Sequence, residues 1–395
     1  MRSIFLFILL LPFLSFSQEV PPPLPVDSTG ELEPVQYEVQ EEIDVSWAGE
    51  GLGISGVYEA AVGVRSLEAA LRYFGQLGYR VTQTGYLNKA VAEALYGVPS
   101  ALKGYRLQNG KSDSHGLIRL WVWEDYLGTG VGYSQPGTIG MRVAAMMTSD
   151  ITWLHDVYAD ARAGGEHWLV TDPIRQGVLG DDKGPFSFYE RAVTTREMAV
   201  YGEEFNHLFY QRFGYTIPGY GNIHLGTKLG TSEITHHDLF VRLDSLNQLD
   251  YLVTALGLEA DGPPAMEGEW LEGPRTLYML RPGETYWFQT FRSPNNICGK
   301  LRFFMPVDPR ADKSALQRPG YDGITAHTFY TPRLNVLWTQ VTEANLSPTP
   351  IMPNEFGERC FVFRGPEGNT WQIIEKMTAP INEAIPVFHL QMLED

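Results

Sequence analysis

Four times along the chain of 395 residues, a run of strand-forming residues leads into a segment with apolar positions at the same helical offsets. The first set is Leu67, Ala70, Phe74 and Leu77, and the second is Ile151, Leu154, Tyr158 and Ala161. The third is Leu246, Leu249, Val253 and Leu256, and the fourth Leu334, Leu337, Val341 and Ala344. In each set these positions share one face of an α-helix. A single amphipathic helix would carry no message, because any such helix has this spacing. Four of them at nearly even intervals predict a repeated unit.

The stretches after these helices read as strands. Tyr79–Val81, Tyr105–Leu107 and Leu117–Trp123 follow the first helix. After the fourth come Arg359–Phe363, the turn Arg364-Gly-Pro-Glu-Gly368 and Thr370–Ile374. Gly-Pro-Glu-Gly is a strong hairpin signal, since proline presets φ and glycine supplies the left-handed corner. Each copy is therefore expected to fold as one strand, one helix and three strands, and each needs a partner to bury its sheet.

Composition narrows the function classes. Aromatic residues make up 12% of the chain, which favours strands and lined cavities over a helical bundle. A net charge of −17 with no Lys/Arg cluster argues against nucleic acid as a partner. Arg2, the apolar stretch Ile4–Phe16 and the small residues Ser15 and Ser17 predict a signal peptide over residues 1–17. Cleavage before Gln18 would place the mature chain outside the cell or in the periplasm. The apolar stretch is short for a membrane span, and no later segment approaches one. Residues 18–46, rich in Pro and acids, are expected to form a disordered tether. Cys298 and Cys360 leave both one bridge and two buried thiols open.

Glu59–Phe74 with Leu77–Val81 resembles the opening strand and helix of glyoxalase-like modules. Phe363-Arg-Gly-Pro-Glu-Gly-Asn-Thr-Trp-Gln-Ile-Ile-Glu375 resembles their closing hairpin, and Leu95-Tyr-Gly-Val-Pro99 a segment common among them. Over residues 52–378 the chain is thus similar to the glyoxalase/bleomycin resistance/extradiol dioxygenase (vicinal oxygen chelate, VOC) superfamily. The resemblance implies an α+β fold of four βαβββ modules, paired into two glyoxalase-like domains at 47–212 and 232–378. Residues 213–231 would then be a linker and 379–395 a C-terminal tail.

In metal-dependent relatives, ligands sit on the first and last strands of each module. The resemblance carries those positions to Glu59, Val143 and approximately Phe209 in the first domain, and to Asp238, Ala326 and Gln372 in the second. Val143, Phe209 and Ala326 have no donor atom, whereas a catalytic divalent ion wants three protein ligands and an open position. No metal cofactor is favoured. A shift of one residue would instead gather His237, His327 and Gln372 around Fe, Zn, Ni or Mn. Strand alternation opposes that shift, because Leu239, Val241 and Leu243 share the parity of His237 and should face the helix. Asp238, Phe240 and Arg242 would then face the cavity. His207 and His224 read as surface or loop residues.

Gly116-Leu-Ile-Arg119 and Gly299-Lys-Leu-Arg302 put an arginine at matching places in the two odd-numbered modules. Two ion pairs are expected from this, Glu59 with Arg119 and Asp238 with Arg302, because a buried carboxylate needs a partner and a guanidinium fork suits it. The alternative is that the arginines point to solvent. The polar candidates for the cavities are Glu59, Arg119, Asp238, Arg242, Arg302 and Gln372; no catalytic residue stands out.

These readings favour an exported, metal-free protein that binds a small molecule in aromatic cavities. Two others stay open. One is a metal-dependent lyase or extradiol-type dioxygenase with an atypical ligand set in the second domain, and the other is an extracellular interaction module. Homodimerisation is left open too.

Overall fold

A computed structural model describes residues 52–176, 194–224 and 226–376. The expected signal peptide, tether and C-terminal tail lie outside the described residues.

Module 1 comprises β1 (Glu59–Gly63), α1 (Leu67–Gln76), β2 (Tyr79–Leu87), α2 (Lys89–Tyr96), β3 (Leu102–Asn109) and β4 (Leu117–Trp123). Module 2 follows with β5 (Arg142–Thr148), α3 (Ile151–Ala163), β6 (Leu169–Val170), β7 (Ile174–Gln176), β8 (Thr194–Tyr201) and β9 (Asn206–Phe213). Module 3 holds β10 (Thr231–Phe240), α4 (Tyr251–Thr254), β11 (Glu259–Ala260), β12 (Ala265–Gly268), α5 (Glu272–Leu277), β13 (Thr285–Ser293) and β14 (Asn296–Pro306). Module 4 closes the chain with β15 (Gly323–Thr331), α6 (Leu334–Glu343), β16 (Met352–Pro353), β17 (Arg359–Arg364) and β18 (Thr370–Glu375).

Local chemistry explains where the helices start. Ser66, Asn88 and Asp150 accept bonds from the backbone N–H groups of Ala69, Val91 and Trp153, capping α1, α2 and α3. The third repeat departs from its expected face. A 3₁₀ turn at Leu246–Leu249, closed by a Ser245–Gln248 capping box, precedes the short α4. The tighter winding of that turn shifts the stripe. Leu249, Leu252 and Leu256 are buried, while Val253 turns towards solvent.

The strands form two sheets, ordered β16-β17-β18-β15-β1-β4-β3-β2 and β11-β13-β14-β10-β5-β9-β8-β6. Module 1 therefore shares a sheet with module 4, and module 2 with module 3. The pairing expected from chain order is overturned. At the centre of one sheet β1 runs antiparallel to β15, with Glu59 opposite Thr328; at the centre of the other β5 meets β10, with Val143 opposite Asp238. Residues 213–231 join two halves of one sheet and separate no domains, and the described residues between 52 and 376 fall in a single compact unit.

The sheets meet back to back. Ala60, Val62, Ile118 and Leu120 of the module 1–4 sheet pack with Ala144, Met146, Phe209 and Ile234 of the other, beside α1 and α3. Leu239, Val241 and Phe303 pack with Phe329, Trp371 and Ile373 beside α4 and α6. Each large apolar side chain so buried contributes about 1.5–3 kcal/mol. The opposite face of each sheet is concave, and the polar candidates divide between those two faces.

Candidate functional site

On the module 1–4 face, Glu59 and Arg119 come from β1 and β4, neighbouring strands in parallel register. Both are fully buried, and their side chains form an ion pair. Glu59 also takes a two-pronged contact from Arg106 on β3, at 2.8 and 3.1 Å. Arg106 binds Glu358 through two further bonds of 2.8 Å. Burial pushes the Glu358 carboxyl up, but the Arg106 fork outweighs it and holds the group below the usual carboxylate range. Arg119 reaches Gln372 at 2.6 Å and Glu355 at 3.3 Å. Glu355 accepts from Tyr96 Oη at 2.8 Å and from Trp121 Nε1 at 2.7 Å. Phe356 lies against both guanidinium groups, at 4.3 and 5.0 Å. Residues 354–358, between β16 and β17, thus fold over this concavity and fill it with side chains of the chain itself.

The module 2–3 face is different. Arg302 of β14 lies beside Asp238 of β10 in register, and its fork closes on the carboxylate at 2.7 and 3.2 Å. Tyr278 donates to the same carboxylate at 3.0 Å. Asp238 is fully buried, whereas the Arg302 side chain keeps 23% of its exposure. Burial pushes the Asp238 carboxyl above its usual range against the pull of Arg302. Above this pair opens a cavity of about 460 Å³. Its aromatic wall is Tyr278, Tyr286, Phe288 and Phe304, and its carboxylates are Glu197, Glu267 and Glu272. Burial raises Glu197 to about 6, despite Arg302 nearby. Glu267 accepts from Tyr286 Oη at 2.6 Å.

The glycines of the two Gly-x-x-Arg runs have a backbone reason. Gly116 and Gly299 adopt φ of +70° and +71°. A Cβ on Gly116 would meet the Ile234 carbonyl oxygen at 2.3 Å, and one on Gly299 the Val57 nitrogen at 2.5 Å. Gly116, just before β4, and Gly299, within β14, thus let the chain pass hard against the backbone of another module.

Both expected pairs are therefore present, but not the expected ligand sets. Gln372 and Ala326 belong to the sheet of Glu59, not to that of Asp238. Phe209 points into the core between the sheets, while its neighbours Leu208 and Tyr210 face the concave side. Arg242 lies past the end of β10, where it is exposed and paired with Asp312 at 3.1 Å. His237 and His327 sit edge to face, 4.7 Å between ring centroids, in the core between the sheets. Gln372 is on the opposite face of β18, so the set His237, His327 and Gln372 is not assembled. His207 is buried rather than superficial, and His224 lies in a loop. Burial pushes His207 down to about 4 and His237 to about 3. Cys298 and Cys360 are not joined in a disulfide. Trp121 and Trp123 are buried, whereas Tyr126 is exposed.

No model of a known protein family matches this sequence, and neither does any curated protein. Solved structures do match. Glyoxalase I from Zea mays aligns over 82% of this chain and 92% of its own, with 10% identity and a TM-score of 0.47. A putative dioxygenase from Bacillus subtilis covers 82% of this chain and 86% of its own, at 11% identity and a TM-score of 0.49. A lactoylglutathione lyase from Agrobacterium tumefaciens covers 36% of this chain and 93% of its own, at 17% identity and a TM-score of 0.24. At these identities the likeness concerns architecture alone. What decides it is the strand order, in which each module sets its first strand between its own last strand and the first strand of a partner. The fold is glyoxalase-like. Function is a separate matter, since one fold hosts many chemistries.

Several residues of the glyoxalase-like concavities carry no sequence signal. Arg106, Glu355, Glu358, Tyr278, Glu197 and Glu267 come from inner strands, loops or short connections outside the repeated pattern. Only their placement by the sheets brings them to the site. Among the described residues, no helix is long and apolar enough to cross a membrane.

Proposed function

We propose that this is an exported protein that binds a small molecule, without a metal, in the module 2–3 cavity. The observation that carries this reading is the contrast between the two concave faces. One is packed with Glu355, Phe356 and Tyr96, whereas the other keeps a cavity of about 460 Å³, within the range of small-molecule sites. The polar groups at its floor are fixed before any ligand arrives. Asp238 neutralises Arg302, so the remaining charge of Glu197, Glu267 and Glu272 outweighs that of Arg175. A flat aromatic molecule carrying a positive charge suits such a site, with its ring against Phe288 or Tyr286 and its cation near the carboxylates. Among the described residues, no three His, Cys, Asp or Glu side chains converge where Asp238 and Arg302 sit.

The test is equilibrium titration with proflavine, a planar aromatic cation, followed by its fluorescence. Saturable binding at one site should weaken by about tenfold in Glu267→Gln and in Phe288→Ala, at about 1–1.5 kcal/mol for each lost contact. A chelator should leave it unchanged. Binding that does not saturate, or that ignores both substitutions, would overturn the reading.

A further inference from the structure

Away from both concavities, three buried donors converge at the start of β10. The ligating atoms of His115, Glu233 and Cys298 all lie within 4.8 Å of one another. His115 comes from the β3–β4 connection of module 1, while Glu233 and Cys298 come from β10 and β14 of module 3. His115 Nε2 is 3.4 Å from Glu233 Oε1. From these residues we infer a transition-metal site, His115–Glu233–Cys298, that takes Zn²⁺ and ties module 1 to module 3.

The chemistry of the donor set fits. One imidazole, one carboxylate and one thiolate are the ligand types that zinc accepts at about 2.0–2.3 Å, usually in a four-coordinate arrangement. The Gly219 carbonyl oxygen, 2.8 Å from Cys298 Sγ, offers a fourth donor. The surroundings already orient the ligands. Ser114 Oγ is 3.0 Å from His115 Nδ1, which leaves Nε2 to face the cluster. The Asn222 N–H donates to both Glu233 oxygens at 3.1 Å. Such outer contacts hold a ligand in place before the ion arrives. Asn222 is itself exposed, so the cluster lies just beneath a surface loop. Binding replaces the thiol proton with the metal, and that proton leaves to solvent.

This site is independent of the proposed ligand cavity, and the two can fail separately. Chelator-stripped full-length protein is titrated with Co²⁺ and then Zn²⁺. The expected result is a thiolate-to-cobalt absorption band that saturates at one equivalent, is abolished by Zn²⁺, and accompanies a rise in Tm. Cys298→Ser should lose the band. His115→Asn should weaken Co²⁺ binding by more than about 100-fold, since loss of an outer-shell partner alone costs 10–100-fold. Cys360→Ser should keep the band. The wild-type titration needs no variant to fold: its failure to give a thiolate band overturns the site outright. A band that survives Cys298→Ser would do the same. Proflavine binding, measured on the same samples, should not change with metal.

Discussion

Replacing Arg119 by methionine removes a cation from the module 1–4 network while keeping much of its volume. Three carboxylates, Glu59, Glu355 and Glu358, share two guanidinium groups there. Glu59 would still hold Arg106 at 2.8 Å. Glu355 would fare worse, because Arg119 is its ion-pair partner among the described residues. It would keep only the neutral donors of Tyr96 and Trp121, while 5% exposed. Leaving such a charge buried without a cation costs about 3–5 kcal/mol. Gln372 Oε1 would fall back on Thr328 at 3.2 Å, a smaller loss of about 1 kcal/mol. Adding Glu355→Gln removes the stranded charge and keeps an acceptor for Trp121, so the double variant should recover about 2–3 kcal/mol. The cycle Arg119/Glu355 should therefore show stronger coupling than Arg119/Glu59, where Arg106 substitutes for the lost partner. Urea unfolding of the four proteins of each cycle measures both. A deficit below about 1 kcal/mol with no coupling to Glu355 would mean that the network is screened by solvent, and the reasoning would fail.

Other outcomes follow from the same geometry. Glu197, raised to about 6, binds a proton more tightly folded than unfolded, so stability should fall as pH rises from about 4.5 to about 6. Glu197→Gln should abolish that slope and raise stability at neutral pH by up to about 2 kcal/mol, read from urea midpoints across the pH range. His207 and His237 run the other way. Burial depresses both, so the folded state resists their protonation, and stability should drop as pH falls from about 6.5 towards 4, by up to about 3 kcal/mol per histidine. His237→Leu should flatten this acid limb in a calorimetric pH series. Arg302→Met strands the fully buried Asp238 with Tyr278 alone, at a cost of about 3 kcal/mol, and Arg302→Lys should recover little because the fork is lost.

The module was legible in the sequence because apolar offsets and the Gly-Pro-Glu-Gly turn are local signals. Its partner was not. The four helical stripes are alike, so nothing in them says whether β1 should lie beside β5 or β15. The error propagated to the site: Glu59 was grouped with Val143, when its neighbours are Thr328 and, through β18, Gln372. The acid–arginine pairs survived it, since Glu59 with Arg119 and Asp238 with Arg302 each lie within one module. Parity also placed His237 correctly, because its neighbours Leu239 and Val241 have no reason to leave the core. Arg242 shows the limit of parity, which stops having meaning where the strand ends at Phe240. Glu355 and Phe356 were out of reach. Only a folded loop tells which concavity they fill.

The nesting of the pairs, 2 with 3 inside 1 with 4, sets an order for assembly on the ribosome. The inner sheet has all its strands once Pro306 has emerged. The outer one must wait for β15 to reach β1, with Glu59 and Thr328 as the pair to be joined. Between the emergence of Gly63 and that of Gly323 the ribosome adds 260 residues (323 − 63), which takes roughly 13–50 s at typical synthesis rates. Meanwhile β1 has β4 on one side and an unsatisfied edge on the other, the arrangement most prone to pair with a foreign strand. Closing so long a loop is also slow in itself. A chain halted near residue 212 would hold two half-sheets with no ladder between them, whereas one spanning 142–306 would hold both halves of a sheet. The β1 edge thus stays open until the fourth module arrives, and the seam between β1 and β15 joins two halves of a sheet that lie at opposite ends of the described chain.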